Sequence, residues 1–167
     1  MPSLSGKQDM RRIVARALLC NFICCLFFIG MAHGADEYCF YQAGRFYNIS
    51  PDLLRAISKV ESSLNPFALN LNNGNGSIDV CHMQVNSCWK DTIGSGWDYL
   101  GNPCYCTYWG AYILGLCITR YGQTWDAVSC YNSNKALYEL EGEKLEKVRG
   151  YVIRVAREVK MIKEMQQ

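Results

Sequence analysis

One carboxylate in this sequence stands where acid chemistry would be possible. Glu61 follows Ile57 by four residues and Leu54 by seven, so on a helix it would project from the same stripe as these apolar residues. A carboxyl group placed there loses hydration, which raises its pKa and lets it donate a proton near neutral pH. The alternative is an ordinary glutamate at a helix end whose carboxylate reaches water.

Cysteines form the second group of reactive side chains. Seven follow residue 35, namely Cys39, Cys81, Cys88, Cys104, Cys106, Cys117 and Cys130. This density is typical of an oxidising compartment, and the odd number leaves at least one cysteine unpaired or joined to another molecule. Cys104 and Cys106, with His82, could suggest a zinc or redox site. Zinc sites usually have a second ligand pair, which is missing here, so we expect no metal and no cofactor.

A helix beginning at Pro51 must carry Glu61. Ser50 suits the N-cap, where its side chain can accept backbone N–H bonds, and Pro51 suits the first helical position. Asp52 complements the positive end of the helix dipole. These neighbouring signals agree on where the helix starts.

Other elements follow from composition and periodicity. Residues 62–76 are rich in Asn and Gly and predict a long polar loop, and residues 77–86 predict a small hairpin-like region entering a cleft. Further helices are predicted over 36–47, over 104–121, from Trp125 with Thr124 as cap, and over about two dozen residues after Leu140. The expected fold class is therefore mainly α (α+β).

The first 35 residues predict a secretory signal peptide. Three arginines precede an apolar stretch over 17–32, and small residues continue to Ala35. A membrane anchor is the alternative, but the apolar run is shorter than the roughly 20 residues that a spanning helix needs. We expect cleavage to leave one domain over 36–167, exported, periplasmic and soluble.

Composition and charge exclude other classes of protein. With 50% hydrophobic and 19% charged residues, the chain is typical of a globular domain. The signal holds four of the 17 basic residues and one of the 15 acidic ones, so 13 bases remain against 14 acids. Since no basic run remains, nucleic-acid binding is not expected.

Several segments together resemble the ordered motifs of the lytic transglycosylase (SLT) domain, of the lysozyme-like superfamily. The segments are Glu61-Ser62, residues 64–68, residues 76–86, Cys130-Tyr131-Asn132, and Tyr151-Val152 with Val155. Asn102-Pro103-Cys104 and Cys39-Phe40 are similar to the small specialised branch that accompanies secretion, conjugation and pilus machines. The resemblance covers about residues 38–157, and it implies a lysozyme-like fold with a β-hairpin beside the active-site cleft.

The resemblance also implies roles for individual residues. Glu61 would be the general acid and later the base, and Ser62 would orient its carboxylate. Substrate binding would involve Met83, Gln84, Asn86, Tyr131, Asn132 and Tyr151, with Tyr151 closing the site from the last helix. The alternative is that Tyr131 and Tyr151 are core aromatics and that Gln84 satisfies backbone groups. A disulfide between Cys39 and Cys104 is implied as well.

Two positions depart from the family pattern. Cys81-His82 stands where Gly-Leu is usual before Met-Gln, and Cys130 stands where Ala is usual before Tyr-Asn. Both changes would place bulk or polarity beside the cleft. Since the two motifs meet at the cleft floor in this family, Cys81 and Cys130 could form a further disulfide. The competing interpretation is two buried free thiols.

The implied activity is cleavage of the MurNAc-GlcNAc β-1,4 bond of peptidoglycan. Glu61 would protonate the glycosidic oxygen and then take the proton of the muramoyl C6 hydroxyl, which closes a 1,6-anhydro ring. Asp79, 18 residues after Glu61, resembles the second carboxylate of animal-type lysozymes, although it could equally cap a turn. The alternatives are therefore a hydrolase using Glu61 and Asp79, or a weakened peptidoglycan-binding protein. The expected partners of this monomer are glycan strands and a secretion, conjugation or pilus machine.

Overall fold

The computed structural model describes residues 37–167, and the predicted signal peptide lies outside them. Two helices open this part of the chain, α1 over Phe40–Tyr47 and α2 over Pro51–Ser62. Ser50 is the N-cap of α2, as predicted, but its side chain makes no capping bond. Its backbone carbonyl instead accepts from the N–H groups of Leu53 and Leu54.

A three-stranded antiparallel sheet follows α2. Its strands are β1 (Leu69–Asn70), β2 (Asp79–Val80) and β3 (Val85–Asn86), in the order β1-β2-β3. The pair β2 and β3 confirms the predicted hairpin. In this register Asp79 lies opposite Asn70 on one side and Asn86 on the other, which brings three polar side chains together.

Helices make up most of the remaining chain. A short helix α3 spans Lys90–Ile93, and three longer helices follow: α4 (Pro103–Tyr121), α5 (Trp125–Ser133) and α6 (Gly142–Glu164). Turns of 3-10 helix lie at Ser87–Trp89, Gly94–Tyr99 and Leu137–Glu139. Thr124 occupies the N-cap of α5 without a side-chain capping bond, and its hydroxyl donates to the backbone carbonyl of Tyr121. The fold is thus mainly α with a small sheet, as the sequence predicts.

The apolar core holds the helices around the base of α2. Leu54 and Ile57, on the stripe that carries Glu61, are fully buried, as are Leu114 of α4 and Val155 of α6. The helix α2 packs against α6, and α4 packs against both α1 and α5. Burying a Leu or Ile side chain stabilises a fold by about 1.5–3 kcal/mol, so this core fixes the backbone on which Glu61 stands.

Three disulfides cross-link the described residues, and each has one cysteine on α4. Cys39 bonds Cys104, which confirms the predicted pair, while the other bonds are Cys81–Cys106 and Cys117–Cys130. The predicted Cys81–Cys130 bond is therefore wrong, and so is the alternative of two free thiols.

Local geometry explains how these two cysteines are paired. Cys81 sits in a turn with φ 61° and faces the first turn of α4, with 6.4 Å between the Cα atoms of Cys81 and Cys106. Cys130 instead meets the last turns of α4 at Cys117. Cys88 is the unpaired cysteine of the described part, and it is exposed. Within residues 37–167 no helix is both long and apolar enough to cross a membrane.

Candidate active site

Glu61 lies in the last turn of α2 with its carboxyl group largely removed from water. Burial raises its pKa from 4.5 to about 7, and the nearby charge of Asp79 acts in the same direction. The hydroxyl of Tyr151 on α6 donates to Oε1 of Glu61 at 2.7 Å, which lowers this pKa, as does the more distant Arg154. Glu61 is therefore protonated in about half of the molecules near neutral pH, as a general acid requires.

Asp79 is held by three side-chain amides. Asn70 and Asn73 donate to Oδ2 at 3.0 and 2.9 Å, and Asn86 donates to Oδ1 at 2.6 Å. The strand register places Asn70 and Asn86 beside Asp79, and the polar loop after β1 supplies Asn73. Both carboxylate oxygens therefore accept hydrogen bonds from amides that are fixed in the fold. The site thus pairs a buried acid with a carboxylate that is fixed in orientation.

A cleft of about 1450 Å³ contains both groups. Of the residues predicted to bind substrate, the cleft is lined by Gln84, Asn86, Tyr131 and Asn132. The amide of Gln84 donates to the backbone carbonyl of Cys81, whereas Asn132 is exposed on the rim. Asn86 lines the cleft, and its side-chain amide donates a hydrogen bond to Asp79, so Asn86 also positions that carboxylate.

Met83 does not line the cleft with its side chain, contrary to the prediction. The side chain is fully buried and lies against Gly110 of α4, where an added Cβ would come within 2.6 Å of the Met83 Cε. The backbone carbonyl of Met83 faces the other way and accepts from the Tyr131 hydroxyl at 2.7 Å. Burial holds the pKa of Tyr131 well above its usual range, so the phenol stays protonated and keeps this bond. Met83 therefore positions Tyr131.

Ser62 and Tyr151 contact the residues of the site without lining the cleft. The Ser62 hydroxyl donates to the backbone carbonyl of His82 at 3.0 Å, so it ties the end of α2 to the turn before β3. The carboxylate of Glu61, which Ser62 was expected to orient, accepts its hydrogen bond from Tyr151. Tyr151 is buried on α6, and its hydroxyl reaches Oε1 of Glu61 through the packing of α2 on α6.

His82, which was expected to place polarity beside the cleft, lies beneath it instead. The ring is fully buried, with Nε2 2.9 Å from the carbonyl of Pro103 and Nδ1 2.7 Å from the hydroxyl of Ser58. A carbonyl only accepts, so Nε2 carries the hydrogen and Nδ1 accepts from Ser58. Burial lowers the pKa of His82, which keeps it neutral. His82 thus joins α2 to α4.

Six of the seven cysteines in residues 37–167 form disulfides, and the seventh, Cys88, is a free thiol that lines the cleft. Cys104 and Cys106 bond Cys39 and Cys81, and both ring nitrogens of His82 have hydrogen-bond partners. These side chains are therefore committed to the fold and not to a shared metal site. Cys130 does line the cleft, as its place beside Tyr131 predicted, but as half of a disulfide.

Several residues of the cleft were missed by the sequence analysis. They are Asn70 and Asn73, which hold Asp79, the indole of Trp89, and the basic side chains of Arg120, Lys144 and Lys147. From the sequence, Asn70 and Asn73 are predicted only as part of the polar loop over residues 62–76. A signal for the lysines was available, since Lys144 and Lys147 precede Tyr151 by seven and four residues and share its helical stripe.

This buried acid, in a cleft between helices and a small sheet, occurs within a known family. The model of the family described as the transglycosylase SLT domain matches residues 38–139, and the chain belongs to this family.

Individual relatives are similar over 99 to 116 residues. X polypeptide of Escherichia coli is 38% identical over 116 residues, 66% of each chain. Protein IpgF of Shigella sonnei is 37% identical over 99 residues, and the invasion protein IagB of Salmonella typhimurium is 36% identical over 99 residues. The last two matches cover 57% of this chain and 64% and 61% of the relatives. The chain thus spans about two thirds of the length of these proteins.

Proposed function

We propose that this chain is a lytic transglycosylase that cleaves the MurNAc-GlcNAc β-1,4 bond of peptidoglycan. The observation that carries the proposal is the state of Glu61, whose pKa is raised to about 7 by burial inside the cleft. A carboxyl group in that state can protonate the glycosidic oxygen as the bond breaks. Membership of the SLT family supports the same reaction class.

The proposed reaction uses Glu61 twice. As acid, its proton passes to the departing sugar oxygen while positive charge develops at the anomeric carbon of the muramoyl residue. As base, its carboxylate then takes the proton of the muramoyl C6 hydroxyl, whose oxygen forms the 1,6-anhydro bond. No water is consumed, and Glu61 ends in its starting protonation state. The Tyr151 hydroxyl, 2.7 Å from Oε1, would stabilise the carboxylate between the two steps.

A second candidate, hydrolysis, is favoured by Asp79. This carboxylate lines the same cleft, and its charge raises the pKa of Glu61. Three amides fix its orientation, so it could stabilise the cationic sugar long enough for water to attack. Asp79→Asn would then reduce hydrolytic ends more than anhydro ends.

Export and assembly complete the proposal. Three disulfides suit an oxidising compartment, and we place the chain in the periplasm after removal of residues 1–35. One relative bears the name invasion protein, which supports a role in opening the wall locally for a secretion, conjugation or pilus machine.

The test is digestion of purified wall by the unmodified chain and by Glu61→Gln, with products identified by mass spectrometry. Anhydro ends and reducing ends differ by one water, so the product ratio separates transglycosylation from hydrolysis. Glu61→Gln should abolish both kinds of end, since an amide cannot supply the proton. Glu164→Gln, the same change at the exposed end of α6, serves as control. Wall binding without any cleavage by the unmodified chain would instead indicate a binding protein.

A further inference from the structure

Three basic side chains line the cleft that holds Glu61 and Asp79. Arg120 belongs to α4, and Lys144 and Lys147 belong to α6. All three are exposed. The salt bridges of residues 37–167 are Arg149–Glu146 and Lys160–Glu164, so none of the three cations is neutralised by a direct ion pair. We call Arg120, Lys144 and Lys147 the basic cluster.

The helix α6 places this cluster at a defined distance from the acid. Lys147 and Lys144 precede Tyr151 by four and seven residues, so all three lie along one stripe of the helix. With a rise of 1.5 Å per residue, the lysines lie about 6 and 10 Å from Tyr151 along the helix axis. Since Tyr151 is bonded to Glu61, the basic cluster begins close to the scissile bond of a bound glycan.

Neutral amides and charged side chains both line the cleft. Around Asp79 the lining is made of neutral amides, including Asn70, Asn73 and Asn86, which suit sugar hydroxyl and acetamido groups. The lining also contains the three cations and, besides Glu61 and Asp79, one further acidic side chain, Glu143. The Arg120 guanidinium lies 5.7 Å from the ring of Tyr121, and its charge also reaches Glu139. The cluster nevertheless keeps an excess of positive charge.

We propose that the basic cluster is a subsite for carboxylates carried by the side groups of the glycan strand. This inference rests on the proposed function and deepens it. Carboxylates occur on the peptide stems and, where a stem has been removed, on the lactyl group of the muramoyl residue. Cations that line the same cleft as the acid would select strands with such groups over an uncharged glycan of the same backbone.

The experiment compares binding to three ligands: intact sacculi, amidase-stripped glycan with free lactyl carboxylates, and neutral chitooligosaccharide. The test variant is Lys144→Gln with Lys147→Gln. The matched control, Lys160→Gln with Lys163→Gln, removes the same charge from the same helix outside the cleft lining. Every protein in the binding arms carries Glu61→Gln, so that the ligands persist during the measurement.

The measured quantity is the affinity for a carboxylate-bearing ligand divided by the affinity for chitooligosaccharide. We expect this ratio to fall about fivefold in the test variant, the effect of two exposed ion pairs, and to stay constant in the control. A fall with sacculi alone assigns the ligand to peptide carboxylates, and a fall with stripped glycan alone assigns it to lactyl carboxylates. An unchanged ratio, or an equal fall in the control, overturns the inference. Cleavage of the same sacculi by the unmodified chain is measured separately, and its absence would refute the proposed function alone.

Discussion

Removing the Tyr151 hydroxyl should shift the pH dependence of wall cleavage upwards. In Tyr151→Phe the aromatic ring stays buried, but Oε1 of Glu61 loses the donor at 2.7 Å. The bond from Tyr151 stabilises the ionised form of Glu61 and lowers its pKa, whereas burial destabilises the ionised form and raises the pKa. Without the bond, desolvation acts with less opposition, so the pKa of Glu61 should rise above about 7.

The size of the rise follows from the strength of the bond. A hydrogen bond to a charged group contributes about 1.5–3 kcal/mol. Since about 1.36 kcal/mol corresponds to one pH unit, the pKa of Glu61 should increase by about one to two pH units. At pH 8 the protonated fraction of Glu61 would then grow from about one tenth to between about one half and nine tenths.

The assay is the pH profile of kcat/KM on solubilised glycan strands. The acid must start protonated, so activity falls as pH rises through the pKa of Glu61, and this alkaline limb should move upwards in Tyr151→Phe. Tyr138→Phe, a change at an exposed tyrosine, should leave the profile in place. An alkaline limb that stays still or moves down would refute the reasoning.

The fold supplies three further predictions. The pKa of Glu61 is 4.5 when exposed and about 7 in the fold, so the free energy of unfolding falls by about 3 kcal/mol as pH rises between these values. Glu61→Gln removes this loss and should therefore raise Tm at pH 8 but not at pH 4. Breaking the disulfide across 65 residues by Cys39→Ser with Cys104→Ser should cost about 4 kcal/mol in urea unfolding. Alkylation of the unreduced exported protein, followed by peptide mapping, should label Cys88 among the cysteines after residue 36.

For each of these three predictions, a different result would contradict the reasoning. Equal Tm gains for Glu61→Gln at both pH values would mean that the gain does not come from proton binding. Unfolding midpoints unchanged by loss of the Cys39–Cys104 bond would contradict its stabilising role. Labelling of Cys81 or Cys106 at the level of Cys88 would contradict the pairing.

The helices and the acid could be predicted because their signals are local. Ser50 and Pro51 mark the start of α2, and the three-and-four spacing of apolar residues marks α6. The position of Glu61 on the stripe of Leu54 and Ile57 was enough to suggest a desolvated carboxyl group. In the structure the carboxyl group of Glu61 is largely removed from water, and its pKa is raised to about 7, as this prediction requires.

The turn before β3 could not be predicted, since its path depends on backbone conformation. Cys81 and Gln84 both have positive φ, of 61° and 50°, so the backbone adopts the left-handed conformation twice within four residues. Periodicity does not describe such a path, and the side chains of His82 and Met83 therefore point into the core instead of the cleft. The partners of Cys81 and Cys130 depend on the same path.

Within residues 37–167 every disulfide is attached to α4, and this has a consequence for cleavage of the chain by proteases. The bonds from Cys39 and Cys81 close covalent rings that contain the long loop after α2 and the segment between β3 and α4. The bond between Cys117 and Cys130 encloses the turn before α5 in the same way. A single backbone break in any of these loops would leave both pieces tethered to one helix. The cleft walls could therefore be nicked without being released, and the acid and its partners on α2 and α6 would remain parts of one molecule.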